Sequence, residues 1–200
     1  MRWLRTLSPN ARQLVSWTVT TVSVLVCLLI LPARLPGMEL LGVAPNWLLI
    51  WVVAWSIKRS LWQGALAGVV LGLAQDGMTS PYPSHVLGLV VVGVLTAGIQ
   101  KQRFIQEDFI SVALIVFGMA VVAETVTAVQ FSLGNLTGSL STAYPTLGEI
   151  WRYHQRIALC SAILSSLWAP VVYYPLNRWW EMMEIVEQGK APTVSAKAVR

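Results

Sequence analysis

The sequence has few charged residues. Asp, Glu, Lys and Arg make up 12% of the 200 residues, whereas hydrophobic residues make up 56%. Soluble globular domains typically carry about 25% charged residues, roughly twice the share found here. A surface in contact with water could not be covered with so little charge. The composition therefore argues against one or two soluble domains and predicts a membrane protein.

The sequence also lacks the residues from which common active sites and metal sites are built. Its two cysteines, Cys27 and Cys160, both lie in apolar stretches and make neither a disulfide framework nor a metal site. The two histidines, His85 and His154, are far apart and show no HExxH spacing. No serine elbow, phosphate loop or Cys-His arrangement is present. The sequence thus predicts no enzyme, no metal and no cofactor.

Positive charge is not gathered into one patch. The net charge is +5, but the basic residues lie between apolar stretches. A nucleic-acid-binding protein would concentrate them on one face. Their distribution is instead typical of the charges that set membrane topology.

What the sequence does contain is a series of six apolar segments. They predict helices near 13–32, 40–57, 60–76, 84–100, 108–132 and 151–176, with an interfacial extension to about 188. The predicted fold class is all-α, a single-domain polytopic integral membrane protein with about six transmembrane helices. Several segments fall short of the roughly 20 residues that a full span needs, so full crossing by the second to fourth is left open. Residues 189–200 are predicted to be a disordered basic tail.

The basic residues predict the orientation of these helices. With a cytoplasmic N-terminus and six spans, all but three of the 14 Lys and Arg residues fall inside, the exceptions being Arg34, Arg152 and Arg156. This bias predicts that both termini are cytoplasmic. The cytoplasmic basic turns carry Lys58, Arg59, Lys101 and Arg103.

A regular glycine spacing marks the third segment. Gly64, Gly68 and Gly72 recur every fourth residue and lead to Asp76. Glycines at this spacing make a smooth helix face against which a neighbouring helix packs closely. Asp76 has two interpretations: it caps a helix or starts a turn at the outer interface, or its charge points into the bundle or toward a partner helix.

A second carboxylate, Glu124, lies deep in the fifth segment. A carboxylate at that depth is expected to be protonated or matched by a partner. The sequence leaves a structural and a functional role equally open. The residues that could match it are Arg152 and Arg156 as ion-pair partners, and Gln75 and Gln130 as hydrogen-bond partners.

Tryptophans form a stripe on the second segment. Trp47, Trp51 and Trp55 recur every four residues and therefore share one helix face. Packing and interface anchoring are the favoured interpretation. A platform on which a ligand stacks is the alternative.

The region from Pro45 to Ile99 resembles a known family. The similarity is carried by Ala44-Pro45-Asn46-Trp47-Leu48-Leu49, by Lys58-Arg59-Ser60, by the three glycines that lead to Asp76, and by Gly88. In this order they resemble the MreD family of bacterial rod shape-determining membrane proteins. Members of the family typically have Asp where this chain has Asn46.

The resemblance implies a function and a set of partners. It implies a non-enzymatic inner-membrane component of the cell-elongation complex, acting in regulation of cell shape and peptidoglycan synthesis. The implied partners are MreC and, through the complex, the MreB filament, RodA and a class B penicillin-binding protein. Gly64, Gly68, Gly72 and Asp76 would then bind a partner, with the glycine face receiving a neighbouring helix such as the single span of MreC.

A small-molecule-binding membrane subunit is the alternative function. The family is similar in arrangement to the substrate-binding subunits of energy-coupling-factor transporters. In that case the Trp stripe and Glu124 would line a pocket. Polar residues within the membrane are few, so the sequence favours assembly over transport.

Overall fold

A computed structural model describes residues 8–33, 37–79, 83–100, 109–136 and 147–188. This part of the chain is all-α, as predicted. Its helices are α1 Pro9–Ile30, α2 Trp47–Ser56, α3 Leu61–Met78, α4 His85–Gln100, α5 Phe109–Leu136 and α6 Leu147–Gln188. Lys101, Arg103, Arg34 and the predicted tail 189–200 lie outside the described residues.

Short polar side chains start the first three helices. The Ser8 hydroxyl accepts a hydrogen bond from the Ala11 amide at 3.3 Å, and Pro9 follows it in the first turn of α1. At the start of α3, the Gln63 side chain accepts a hydrogen bond from the Ser60 amide at 3.2 Å. These contacts satisfy amides that have no partner inside a helix.

The second helix begins at Trp47 and not near residue 40. Gly37, Leu41 and Gly42 have φ values of 85°, 53° and 79°, which are incompatible with a right-handed helix. Pro45 then lacks an amide hydrogen. With 10 residues, α2 is about 15 Å long, half of the roughly 30 Å hydrocarbon core of a bilayer.

The short α2 lies at the centre of the molecule, where it contacts each of the other five helices. Its side chains are buried on every side, which explains why its sequence shows no polar face. Fully buried residues include Leu48, Leu49, Ile50, Val52 and Val53.

Consecutive helices alternate in direction. The closest approaches between α3 and α4 join Gly64 to Gly93 near one end and Gly72 to Val86 near the other, so the two helices are antiparallel. Helices α2 and α6 are parallel, since Trp47 packs on Trp168 and Trp55 packs on Trp180. Both relations fit an up-and-down course, in which α2, α4 and α6 run one way and α3 runs the other.

This course gathers the described cations mainly at one end of the bundle, called here the basic end. It holds Arg12, Lys58, Arg59 and Arg178, whereas Arg152 and Arg156 lie near the opposite end. Which end faces the cytoplasm stays a prediction from the sequence.

Membrane crossing is supported by helix length and composition. Among the described residues, three helices are long and apolar enough to cross a membrane: α1, α5 and the Leu147–Ile185 part of α6. Helices α2 and α4 are shorter apolar helices. The count of six spans stays a prediction.

Candidate functional site

The glycine stripe of α3 packs directly against α4. A β-carbon added to Gly64 would lie 2.5 Å from the carbonyl oxygen of Gly93, and one added to Gly68 would lie 2.5 Å from that of Leu89. A β-carbon on Gly72 would collide with the backbone of Val86. Backbone meets backbone along the whole stripe, as expected for small residues at a helix contact.

The helix on this face belongs to the same chain. The spacing correctly predicted a close helix contact, but α4 is the neighbour, so Gly64, Gly68 and Gly72 are already covered. The structure shows these glycines packing within the chain, and their direct binding of a partner stays a prediction.

Asp76, near the end of α3, forms hydrogen bonds with the start of α4. Its Oδ1 accepts a hydrogen bond from the His85 amide at 2.8 Å and lies 2.8 Å from His85 Nδ1. Its Oδ2 accepts a hydrogen bond from the Ser84 hydroxyl at 2.7 Å. A carboxylate at a helix N-terminus satisfies free amides and complements the helix dipole. Of the two interpretations of Asp76, the geometry supports the cap.

Within the described ranges, neither Gln75 nor Gln130 forms a hydrogen bond with Glu124. The Gln130 amide donates a hydrogen bond to the Ser84 carbonyl at 3.1 Å, which ties α5 to the start of α4. Gln75 is buried, and its Oε1 has no hydrogen-bond partner among the described residues.

The partner of Glu124 is His154. Glu124 Oε2 lies 3.6 Å from His154 Nδ1, within reach of an ion pair but too long for a hydrogen bond. The prediction that Arg152 or Arg156 pairs with Glu124 is wrong. Both arginines are exposed, and Arg152 donates instead to the Gly148 carbonyl at 3.4 Å.

A cleft of about 410 Å³ opens beside this pair, between α5 and α6. Its walls are largely apolar, and its polar lining includes Glu124, Thr125, His154 and Gln155. Phe131 packs on the His154 ring with centroids 5.2 Å apart.

Comparison with known families gives a single description for most of the chain. Residues 11–173 match the family of the rod shape-determining protein MreD. The chain belongs to the MreD family. No curated protein and no solved structure matches it. The match begins inside α1 and ends inside α6, and the family, together with the apolar helices, identifies a membrane protein of rod shape determination.

One departure from the MreD pattern has a structural explanation. Asn46 stands where Asp is typical, and its Oδ1 accepts a hydrogen bond from the Leu49 amide at 3.0 Å. Asn and Asp are comparable helix N-caps, so this member keeps the cap of α2. The backbone N–H of Asn46 also donates a hydrogen bond to the Ser165 hydroxyl at 3.0 Å, which connects the start of α2 to α6.

The Trp stripe belongs to the core of this MreD-family protein, which confirms the packing interpretation. Trp47 and Trp51 are buried, and Trp51 stacks on Trp55 with centroids 5.4 Å apart. Trp51 Nε1 donates to the Ser23 hydroxyl at 2.9 Å and so joins α1 to α2. None of the three lines the Glu124 cleft, so the stripe and Glu124 do not form one pocket.

At the basic end, two adjacent cations behave differently. Lys58 Nζ lies 2.7 Å from Glu181 Oε1, an ion pair between the ends of α2 and α6. Arg59 instead stacks its guanidinium over Trp55, 4.5 Å from the ring centroid. The sequence predicted both as basic residues of one cytoplasmic turn.

Proposed function

We propose that this MreD-family protein is a non-enzymatic, multi-pass inner-membrane component of the cell-elongation complex. It regulates cell shape and peptidoglycan synthesis through helix contacts with partner membrane proteins. The proposed partners are MreC and, through it, the MreB filament, RodA and a class B penicillin-binding protein. The family match over residues 11–173 carries this proposal.

The outward faces of the helices support a role in assembly. Helix α1 is the least engaged, since only 11% of its most apolar stretch is buried inside the molecule. Its exposed side chains include Leu14, Trp17, Leu25 and Leu29. A face of this kind suits either lipid or a partner's helix, and we assign it to MreC because α4 already covers the glycine face.

On this proposal, Gly64, Gly68, Gly72 and Asp76 support partner binding indirectly, through the fold of this chain. They hold α3 and α4 as one rigid pair, and α4 in turn contacts α2 and α5. The pair thus fixes the framework on which the outward faces are presented.

Photo-crosslinking in intact cells tests the partner contact. A crosslinking amino acid at the exposed Leu25 of α1 should capture MreC. The matched control is Leu48 of α2, which is fully buried and should capture nothing. If neither Leu25 nor the exposed Leu114 of α5 captures a component of the elongation complex, the proposed contact through outward faces is wrong.

The Glu124 cleft favours a second candidate function, a small-molecule-binding subunit. Its volume of about 410 Å³ falls within the roughly 300–1,000 Å³ typical of ligand pockets. Mass spectrometry of the purified protein would detect a retained compound. A vitamin-like molecule that is lost from Glu124→Gln would support this candidate over assembly alone, and an empty cleft in gently purified protein would remove it.

A further inference from the structure

A second cleft lies at the basic end, away from both the glycine stripe and Glu124. It has a volume of about 300 Å³ and is enclosed by α1, the end of α2, the start of α3 and α6. Hydrogen-bond donors reach it from four directions. They are Gln13 and Ser16 on α1, Arg59 after α2, Gln63 on α3 and Trp180 on α6.

Arg59 is the charged donor of this cleft. Its guanidinium lies over the Trp55 ring, with Cζ 4.5 Å from the ring centroid, and it forms no ion pair with a described residue. A guanidinium that packs on an aromatic ring keeps its N–H groups free to bind a carboxylate or phosphate group. Its neighbour Lys58 is already paired with Glu181, so the free cation of this turn lies in the cleft.

Trp180 is an independent sign of a missing acceptor. The residue is only 8% exposed, and its indole Nε1 is buried with no hydrogen-bond partner in the described part of the chain. A buried indole N–H normally has a partner. Trp180 lines the same cleft as Arg59, so an acceptor placed there could serve both.

The remaining lining also favours an anion. Gln63 uses its Oε1 to accept from the Ser60 amide, which leaves its NH2 group available to donate. The carboxylate that lines this cleft, Glu184, is exposed and has no ion pair with Arg59. Arg59, Gln63 and Trp180 therefore each bring a donor group to the cleft.

The position of the cleft points to a lipid. The basic end is the predicted cytoplasmic side, where anionic lipids concentrate and where basic pockets between helices bind headgroups. Trp17 lines the cleft and is 60% exposed, so an apolar side chain borders the cleft beside its polar donors.

We propose that this cleft binds the phosphate-bearing headgroup of an anionic glycerophospholipid, with Arg59 and Trp180 donating to the phosphate oxygens. The headgroup site is argued from Arg59 and Trp180, which are not among the α1 side chains assigned to MreC, so the proposal does not depend on those partner contacts.

Native mass spectrometry of the purified full chain tests the proposal. Phosphatidylglycerol should bind the wild type more tightly than phosphatidylcholine. Arg59→Gln should weaken phosphatidylglycerol binding about tenfold, the effect of losing one charge-assisted hydrogen bond. Arg178→Gln is the control, because it removes an equal charge from the same end of the bundle outside the cleft, and it should bind as the wild type does.

Further arms distinguish the alternatives. Equal losses in Arg59→Gln and Arg178→Gln would show attraction by diffuse charge and overturn the site. Inorganic phosphate that displaces phosphatidylglycerol and protects the wild type from heat equally well would overturn the lipid source. If Arg59→Gln does not fold, as judged by its Tm without lipid, Gln13→Ala probes the cleft from α1. An unchanged affinity in that variant would then count against the proposal, and a selective loss would support it.

Discussion

Gly68 of α3 lies so close to Leu89 of α4 that a β-carbon on Gly68 would sit 2.5 Å from the Leu89 carbonyl oxygen. The colliding group is backbone, which cannot rotate away as a side chain can. The helix axes must therefore separate to admit even one methyl group.

Gly68→Ala should destabilise the protein by about 1–3 kcal/mol, the usual cost of overpacking. The matched control is Gly77→Ala on the same helix, where an added β-carbon meets nothing within 4 Å. It should be neutral or slightly stabilising, because Ala is the better helix former. Thermal unfolding in detergent compares the two, and equal Tm values would contradict the close packing.

Asp76→Ala should cost about 1–2 kcal/mol of stability, since it removes the acceptor for the Ser84 hydroxyl and the His85 amide. Asp76→Asn keeps one side-chain oxygen and should cost less. Thermal unfolding of both variants ranks them. An Asn variant as unstable as the Ala variant would show that the charge of Asp76, and not its cap, is what matters.

Ser23→Ala should weaken the contact between α1 and α2. The change leaves the indole N–H of Trp51 buried without its 2.9 Å partner, at a cost of about 1–3 kcal/mol. Hydrogen exchange should speed up across α1 while α3 and α4 stay protected. Thr18→Ala, on an exposed position of α1, is the control and should leave exchange unchanged. Uniform exchange in both variants would argue against this link.

The Lys58–Glu181 pair should show weak, salt-dependent coupling. Both side chains are partly exposed, so a double-mutant cycle with Lys58→Ala and Glu181→Ala should give at most about 1 kcal/mol. Raising the salt concentration should reduce this coupling energy. A coupling that salt does not change would mean that the two residues communicate through packing and not through charge.

The helices and the close contact of the glycine stripe could be predicted from sequence because each depends on local patterns. Apolar segments predict helices, and glycines every fourth residue predict a close neighbour. The same spacing does not say whether that neighbour is α4 or a partner, since both would need the same smooth face. The late start of α2 at Trp47 depends on backbone angles at Leu41 and Gly42, which composition does not reveal.

The pairing of Glu124 with His154 depends on the rotation of α6 about its own axis, which the sequence does not specify. Charge alone favoured Arg152 or Arg156, but the rotation of α6 turns His154 toward α5 and both arginines outward. His154 carried no obvious sequence signal as a partner of Glu124. Predicting this pair would have required knowing how α5 and α6 pack, because Glu124 lies on α5 and His154 lies on α6.

Depletion of this protein in its own bacterium tests the central claim most directly, with cell shape and the site of new wall insertion as readouts. We expect rounded cells with delocalised insertion. The wild type and Gly77→Ala should restore the rod shape, whereas Gly68→Leu, which forces α3 away from α4, should not. Normal shape and normal insertion under full depletion would contradict a role in rod shape determination for this chain.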